Sequence, residues 1–256
     1  MMLKNSAFLK WLNIVAFLFM VLINALAGST TILAGKSTAQ VSDANPTLIT
    51  PAGYVFSIWG IIYILLLIFV VFQALPSEKG KSFHRKIDFL FALSCLLNIV
   101  WLFLWQFEYL SLSVIIMFLL LATLLAIYLR LEIGKSKAQL REKLAVHLPF
   151  SVYLGWITIA SIANVAATLV SVNWNGFGIN PETWATLVVI VALAITLLVI
   201  ATRRDVAYGL VIIWALVGIA MKQIGNQSIL MITEISAIII AVALAAVALL
   251  TILKRR

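Results

Sequence analysis

The chain is short of nearly everything a water-exposed surface needs. Charged side chains are 11% of its 256 residues; there are nine acids, two histidines, five prolines and a single cysteine. Soluble domains carry about 25% charged residues and roughly 45–50% apolar ones, whereas this sequence is 64% hydrophobic. A soluble globular domain is thereby excluded. One cysteine excludes an intramolecular disulfide and a thiolate metal cluster, and Cys95, inside an apolar run, reads as a small packing residue. There is no closely spaced His, Cys and carboxylate set for zinc, no carboxylate pair within an apolar segment, and no histidine in the segments that hold Ser57 and Ser94. No metal site and no catalytic residue are expected, which favours a binding or carrier role over an enzyme.

What is abundant is hydrocarbon. Crossing a bilayer takes about 20 mostly apolar residues, and eight runs approach or exceed that length: 10–33, 52–75, 87–107, 110–130, 146–172, 182–202, 206–222 and 229–253. They are continuous and not alternating, so a β-barrel is not expected. The fold class read from this pattern is an all-α polytopic membrane protein with about eight transmembrane helices. The net charge of +9 is a matter of topology, not of nucleic acid. Lys4, Lys10, Lys79, Lys81, Arg85, Lys86, Arg130, Lys135, Lys137, Arg141, Lys143, Arg203, Arg204, Lys254, Arg255 and Arg256 all fall on one side of eight spans, and only Lys36 and Lys222 on the other. The positive-inside rule then makes both termini cytoplasmic, in what is expected to be a bacterial plasma membrane. The N-terminus resembles a secretory signal, with Lys4 and Lys10 ahead of an apolar stretch reaching Ala25-Leu26-Ala27. The run continues to Leu33, however, and a retained first helix keeps the charge count consistent.

Local chemistry marks the boundaries. Thr50-Pro51 and Asn180-Pro181 each pair an N-cap residue with proline at the first helical position, and Asp205 caps the seventh span. The polar stretch NWNGFGINPETW, residues 173–184, flanked by Trp174 and Trp184 as an interfacial belt, divides the chain into a unit over 1–172 and a three-helix extension over 173–256. No internal repeat is visible, which weighs against an inverted-repeat transporter. In the last span Ala237, Ala241, Ala245 and Ala248 form a small-residue stripe, read either as packing within the monomer or as the seam of a homodimer. Glu234 is the one carboxylate placed clearly inside a span, a candidate proton or ion site that could pair with Lys222, or an acid reaching to the interface.

Three spans carry aromatic stripes at helical spacing. In YLGWITIASIAN, residues 153–164, Tyr153, Trp156, Ala160 and Asn164 share a face. In GYVFSIWGIIY, Phe56, Trp59 and Tyr63 do so, and in NIVWLFLW, Asn98, Trp101 and Trp105. An unpaired amide is costly in hydrocarbon, so Asn98 and Asn164 are expected to point into the bundle and be bonded. The stripes are either interhelical packing with polar glue or the walls of a flat apolar pocket.

YLGWITIASIAN resembles the fifth-helix signature of the translocator-protein family, also called tryptophan-rich sensory proteins. PAGYVFSIWGIIY, residues 51–63, is similar to the start of that family's second helix through Pro51, Gly53, Phe56, Trp59 and Tyr63, and Asn98 with Trp101 resembles its third-helix Asn-x-x-Trp. The departures are Tyr54 in place of the usual tryptophan, a missing proline between Phe56 and Trp59, Val152 where a proline precedes the tyrosine, with Pro149 as a substitute kink, and no counterpart in ATLVSVNWNGFG of the cholesterol-recognition motif. The resemblance implies a five-helix bundle, here enlarged by three helices. It also implies a receptor or carrier for a flat hydrophobic ligand, a porphyrin or related tetrapyrrole in free-base form, with no cofactor required. The lining it implies is Phe56, Trp59, Tyr63, Asn98, Trp101, Tyr153, Trp156, Ala160 and Asn164, with Lys36 at the outer mouth available to a propionate. Two alternatives stay open: a proton-coupled small-molecule transporter using Glu234 and the C-terminal helices, and light-dependent porphyrin breakdown in which Trp59, Trp101 or Trp156 passes an electron.

Overall fold

A computed structural model of the chain describes residues 2–29, 35–78 and 81–253. All of the described regular structure is helical. The elements are α1 (Met2–Ser29), α2 (Thr38–Ala44), α3 (Ile58–Ala74), α4 (Ser82–Ile87), α5 (Leu90–Gln106), α6 (Leu110–Leu131), α7 (Leu140–Glu142), α8 (Leu148–Ser171), α9 (Pro181–Arg203), α10 (Val206–Lys222) and α11 (Gln227–Leu253). Six helical segments are long and apolar enough to span a bilayer, and α5 and α10 are shorter apolar helices of 17 residues each. These eight correspond to the eight runs in the sequence. The end of the first run at Leu33, and Lys79, Lys254, Arg255 and Arg256 of the basic set, lie outside the described residues.

The first five long helices close a ring in the spatial order α1, α3, α8, α6, α5 and back to α1. The later helices build outward from α8: α10 packs on it, and α9 and α11 pack on α10 and on each other. One buried core runs through the ring and the extension, from Phe17 to Leu244, so residues 173–256 share hydrophobic contacts with the first unit. Every described connection at one end of the bundle is basic, and that end includes Lys86 bonded to Glu132 at 2.9 Å. At the opposite end Lys36 pairs with Glu108 and Lys222 with Asp43. Lys222 therefore meets Asp43 and not Glu234, which lies on an exposed face of α11.

Helix starts follow the local chemistry with one exception. Asn180 accepts from the Thr183 N–H at 2.7 Å with Pro181 in the first turn, and Asp205 Oδ1 accepts from the Tyr208 N–H at 3.1 Å. Thr50-Pro51 does not start a helix. Thr50 Oγ1 instead accepts from the Thr47 N–H at 2.9 Å, and a 3-10 turn over Gly53–Ser57 precedes α3. At the start of α8 the helix widens to a π-turn over Lys143–His147, where the Leu148 N–H reaches back to the Lys143 carbonyl. Pro149 accounts for it: proline has no N–H and its ring crowds the carbonyl four residues earlier, so the register opens by one residue. This π-turn lies directly before Pro149, the position at which a substitute kink was expected.

The 3-10 corner is where the extension docks. The Ala52 N–H donates to the Gly218 carbonyl at 3.0 Å, Trp214 Nε1 donates to the Val55 carbonyl at 3.1 Å, and Tyr54 meets the Trp214 ring edge-on at 5.2 Å. Gly218 makes this approach feasible, since a Cβ there would lie 2.0 Å from Val55 Cγ2. Gly155 does the same between α8 and α10, with Val211 Cβ 3.2 Å from where a Cβ would be. Small residues are how membrane helices come close. On α11 the buried line is Ile229, Thr233, Ser236, Ile240 and Leu244. Ala241, Ala245 and Ala248 face outward and only Ala237 is half-buried, so packing within the monomer uses a different face of that helix from the alanine stripe.

At Gly218 an added methyl has no room beside the fully buried Val55. Gly218→Ala is expected to destabilise the protein by about 1–3 kcal/mol, as overpacking does, read as a lower thermal midpoint in detergent; an unchanged midpoint would mean that α10 does not hold the corner this closely.

Candidate functional site

The aromatic stripes of α3, α5 and α8 turn toward one another. Trp59 sits in the middle: its ring centroid is 5.7 Å from Tyr63, 6.0 Å from Trp101, 6.1 Å from Tyr153 and 6.1 Å from Trp156. Phe56 meets Trp156 edge-on at 6.0 Å, and Trp101 stacks on Trp105 at 5.9 Å. Tyr153, Trp156 and Trp101 are buried, whereas Phe56, Trp59 and Tyr63 on α3 are half-buried. The rings thus converge, but they occupy the space that was expected as an open pocket. Edge-on and tilted ring contacts at these separations are favourable in themselves, which is reason enough for the walls to close on each other. Two clefts lie elsewhere, one at the basic end beside Asn13 and Gln73 and one between α8, α9 and α10 beside Ala163 and Ala192.

Below this cluster, toward the basic end, Phe69, Phe91 and Phe150 pack at 5.0, 5.1 and 5.9 Å and plug the bundle. Above it lies α2, started by a capping box in which Ser37 and Gln40 bond each other's backbone. Trp105 Nε1 donates to the Thr38 carbonyl at 3.2 Å. The flanking pairs Lys36–Glu108 and Asp43–Lys222 pin α2 to the α5–α6 connection on one side and to the end of α10 on the other. Lys36, expected to be available to a ligand acid, is engaged by Glu108.

Both amides of the stripes are bonded inside the ring. Asn98 Nδ2 donates to the Tyr153 hydroxyl at 3.1 Å, while its Oδ1 accepts from Asn24 Nδ2 at 2.7 Å. Asn164 Oδ1 accepts from Trp101 Nε1 at 2.9 Å, and Asn164 Nδ2 donates to Ser113 Oγ at 2.8 Å. Ala160, half-buried between Trp156 and Asn164 on the same helix face, adds no polar group. Trp156 is the exception: its Nε1, buried within the cluster, has no acceptor among the described residues.

Asn24 and Ser113 complete this network and escape a reading based on aromatic stripes. Asn24 is a lone polar residue in an apolar run, and Ser113 stands two residues after Ser111 in another. Asp205, expected only as a helix cap, has a further role: its Oδ2 accepts from Tyr128 Oη at 2.8 Å and from Ser151 Oγ, joining α6, α8 and α10. The carboxylate buried in the bundle is therefore Asp205, while Glu234 stands apart on the outer face of α11.

The model of one protein family, described as TSPO-like protein, matches residues 10–252. The chain belongs to the TSPO-like protein family. Its matched stretch includes all three C-terminal helices, so the extension falls within the family's length. No curated protein and no solved structure matches the chain. In this TSPO-like protein the family assignment and the helical architecture agree on an integral membrane protein.

Asn164→Leu leaves Trp101 Nε1 without its acceptor, while Ser113 Oγ keeps its bond to the Leu110 carbonyl, and a stranded buried group costs about 1–3 kcal/mol. Adding Trp101→Phe is expected to recover part of that loss, so a double-mutant cycle in detergent should show non-additivity of about 0.5 kcal/mol or more. Strict additivity would mean the two side chains do not interact.

Proposed function

We propose that this TSPO-like protein is a membrane receptor or carrier that holds a flat, apolar, π-rich ligand, a porphyrin or related tetrapyrrole, against the aromatic cluster of α3, α5 and α8. The observation that carries the reading is Trp156 Nε1, a buried donor without an acceptor among the described residues, in a cluster whose other buried indoles, Trp101 and Trp105, and whose amides, Asn98 and Asn164, are bonded to protein. Buried polar groups are normally satisfied, and a ring nitrogen or carbonyl on a bound ligand would satisfy this one. The rings supply faces and edges for stacking, and the few polar groups fix orientation.

Admission requires the α3 side to move. Trp59 and Phe56 are half-buried members of the cluster on its α3 side, so their rotation makes the slot that the ligand fills. The Phe69, Phe91 and Phe150 plug sets its depth, and α2 covers its outer end. By the charge asymmetry that covered end faces away from the cytoplasm, with both termini cytoplasmic.

Added protoporphyrin is expected to quench the intrinsic tryptophan fluorescence saturably. Trp156→Phe, which removes the free N–H and keeps an aromatic ring, should weaken binding by up to about tenfold, the worth of one hydrogen bond. Wild-type-like quenching in a Trp59, Trp101, Trp156 triple phenylalanine variant would defeat the reading. Association should also depend on the exposed pairs that pin α2. Glu108→Gln with Lys222→Gln is expected to speed binding a few-fold, in keeping with surface ion pairs worth about 0–1 kcal/mol, and stopped-flow quenching checks it.

A further inference from the structure

At the basic end a second site lies outside the aromatic cluster and outside the proposed function. A cleft of about 280 Å³, open mouth included, is lined by Leu9, Asn13, Phe69, Gln73, Phe83 and Ile87, with Lys10, His84 and Asp88 also on its wall. Its enclosed part has room for about one water-sized group. Asn13 and Gln73, 4% and 1% exposed, bond each other across α1 and α3 through Asn13 Nδ2 and Gln73 Oε1 at 3.1 Å. That bond leaves Asn13 Oδ1 an acceptor and Gln73 Nε2 a donor, neither with a partner among the described residues. The imbalance does not depend on how the amides are oriented. Exchanging O and N in both keeps one mutual bond and again strands one donor and one acceptor.

A single O–H group, a water's or a ligand hydroxyl's, answers both needs at once by donating to the one and accepting from the other. The enclosed part of the cleft is the size of that group. The rest of the wall narrows the choice of molecule. Leu9, Phe69, Phe83 and Ile87 are apolar, as suits the part of a lipid next to its headgroup. Lys10 is a cation for a phosphate, and Asp88 an acceptor for a further hydroxyl. Burial and the Lys10 charge hold the His84 imidazole below its ordinary pKa, and its Nε2 is bonded to the Glu78 carbonyl at 3.0 Å. Lys81 and Arg85, exposed nearby on and beside α4, make the surroundings basic.

We infer that this cleft binds the headgroup of an anionic, glycerol-headed phospholipid from the leaflet at the basic end, one hydroxyl bridging Asn13 and Gln73 and the phosphate meeting Lys10. The test uses the full chain in nanodiscs of phosphatidylcholine with or without phosphatidylglycerol, followed by native mass spectrometry of the lipid retained. Selective retention of phosphatidylglycerol is expected, about tenfold weaker in the Asn13→Leu, Gln73→Leu pair, which replaces both amides by apolar groups of similar size. Lys10→Gln, away from the core, should also weaken it and serves if the double variant fails to fold. Equal retention of the two lipids by the wild type would overturn the inference, as would retention unaltered in the variants. So would capture of soluble glycerol phosphate without the lipid, which would assign the cleft to a free solute. Protoporphyrin quenching should be unchanged in Lys10→Gln, which separates this site from the aromatic one.

Discussion

Hydrocarbon offers no water to a polar side chain, so each one placed within the bundle must be answered by another part of the protein. This constraint organises the structure more than the apolar residues do, because lipid is as apolar as leucine and gives helices little reason to prefer each other. Asn24, Asn98 and Tyr153 tie α1 to α5 and α5 to α8; Trp101, Asn164 and Ser113 tie α5 to α8 and α8 to α6. Asp205 with Tyr128 and Ser151 repeats the device among α10, α6 and α8. Each knot fixes which residues lie at the same depth, and so fixes the register in which the aromatic rings meet.

Where nearly every polar atom is answered, the unanswered ones stand out. Trp156 Nε1 lies within the ring cluster and the Asn13–Gln73 pair within the basic-end cleft, and on these two places the proposed ligand sites rest. Gln106 Oε1, His147 Nε2 and Ser236 Oγ are also without partners among the described residues. Gln106 ends α5 and His147 lies in the π-turn that leads into α8.

The order and type of the helices were legible in the residues, since eight long apolar runs with basic connections on alternate turns of the chain leave little choice of architecture. The convergence of Trp59, Trp101 and Trp156 was legible too, through their spacing and their likeness to a known family. The closed state of the cluster was not, because whether rings stack on each other or stand apart depends on helix separation, which spacing along a helix does not encode. Nor were the partners of the amides. Asn24 and Ser113 are small polar residues in apolar runs, and only the ring order of the helices brings them opposite Asn98 and Asn164. Thr50-Pro51 misled for a related reason: the corner it begins is shaped by α10, more than 160 residues later in the chain, through Gly218 and Trp214.

That last contact bears on what the C-terminal helices do for the site. Phe56 lies within the 3-10 turn and Trp59 one turn beyond, so the corner that α10 grips also carries two of the half-buried rings of the cluster. A hydrogen bond between membrane helices is worth on average only about 0.6 kcal/mol, so the Ala52 and Trp214 bonds alone would hold the corner weakly. The close approach at Gly218 adds dispersion contacts along the fully buried Val55, and Lys222 extends the grip to Asp43 at the end of α2. One helix therefore touches both the hinge of the aromatic cluster and the cover of its outer end. Any motion of α10 against α8 would be felt at both together, so the extension is mechanically coupled to the aromatic cluster even though it contributes none of the rings.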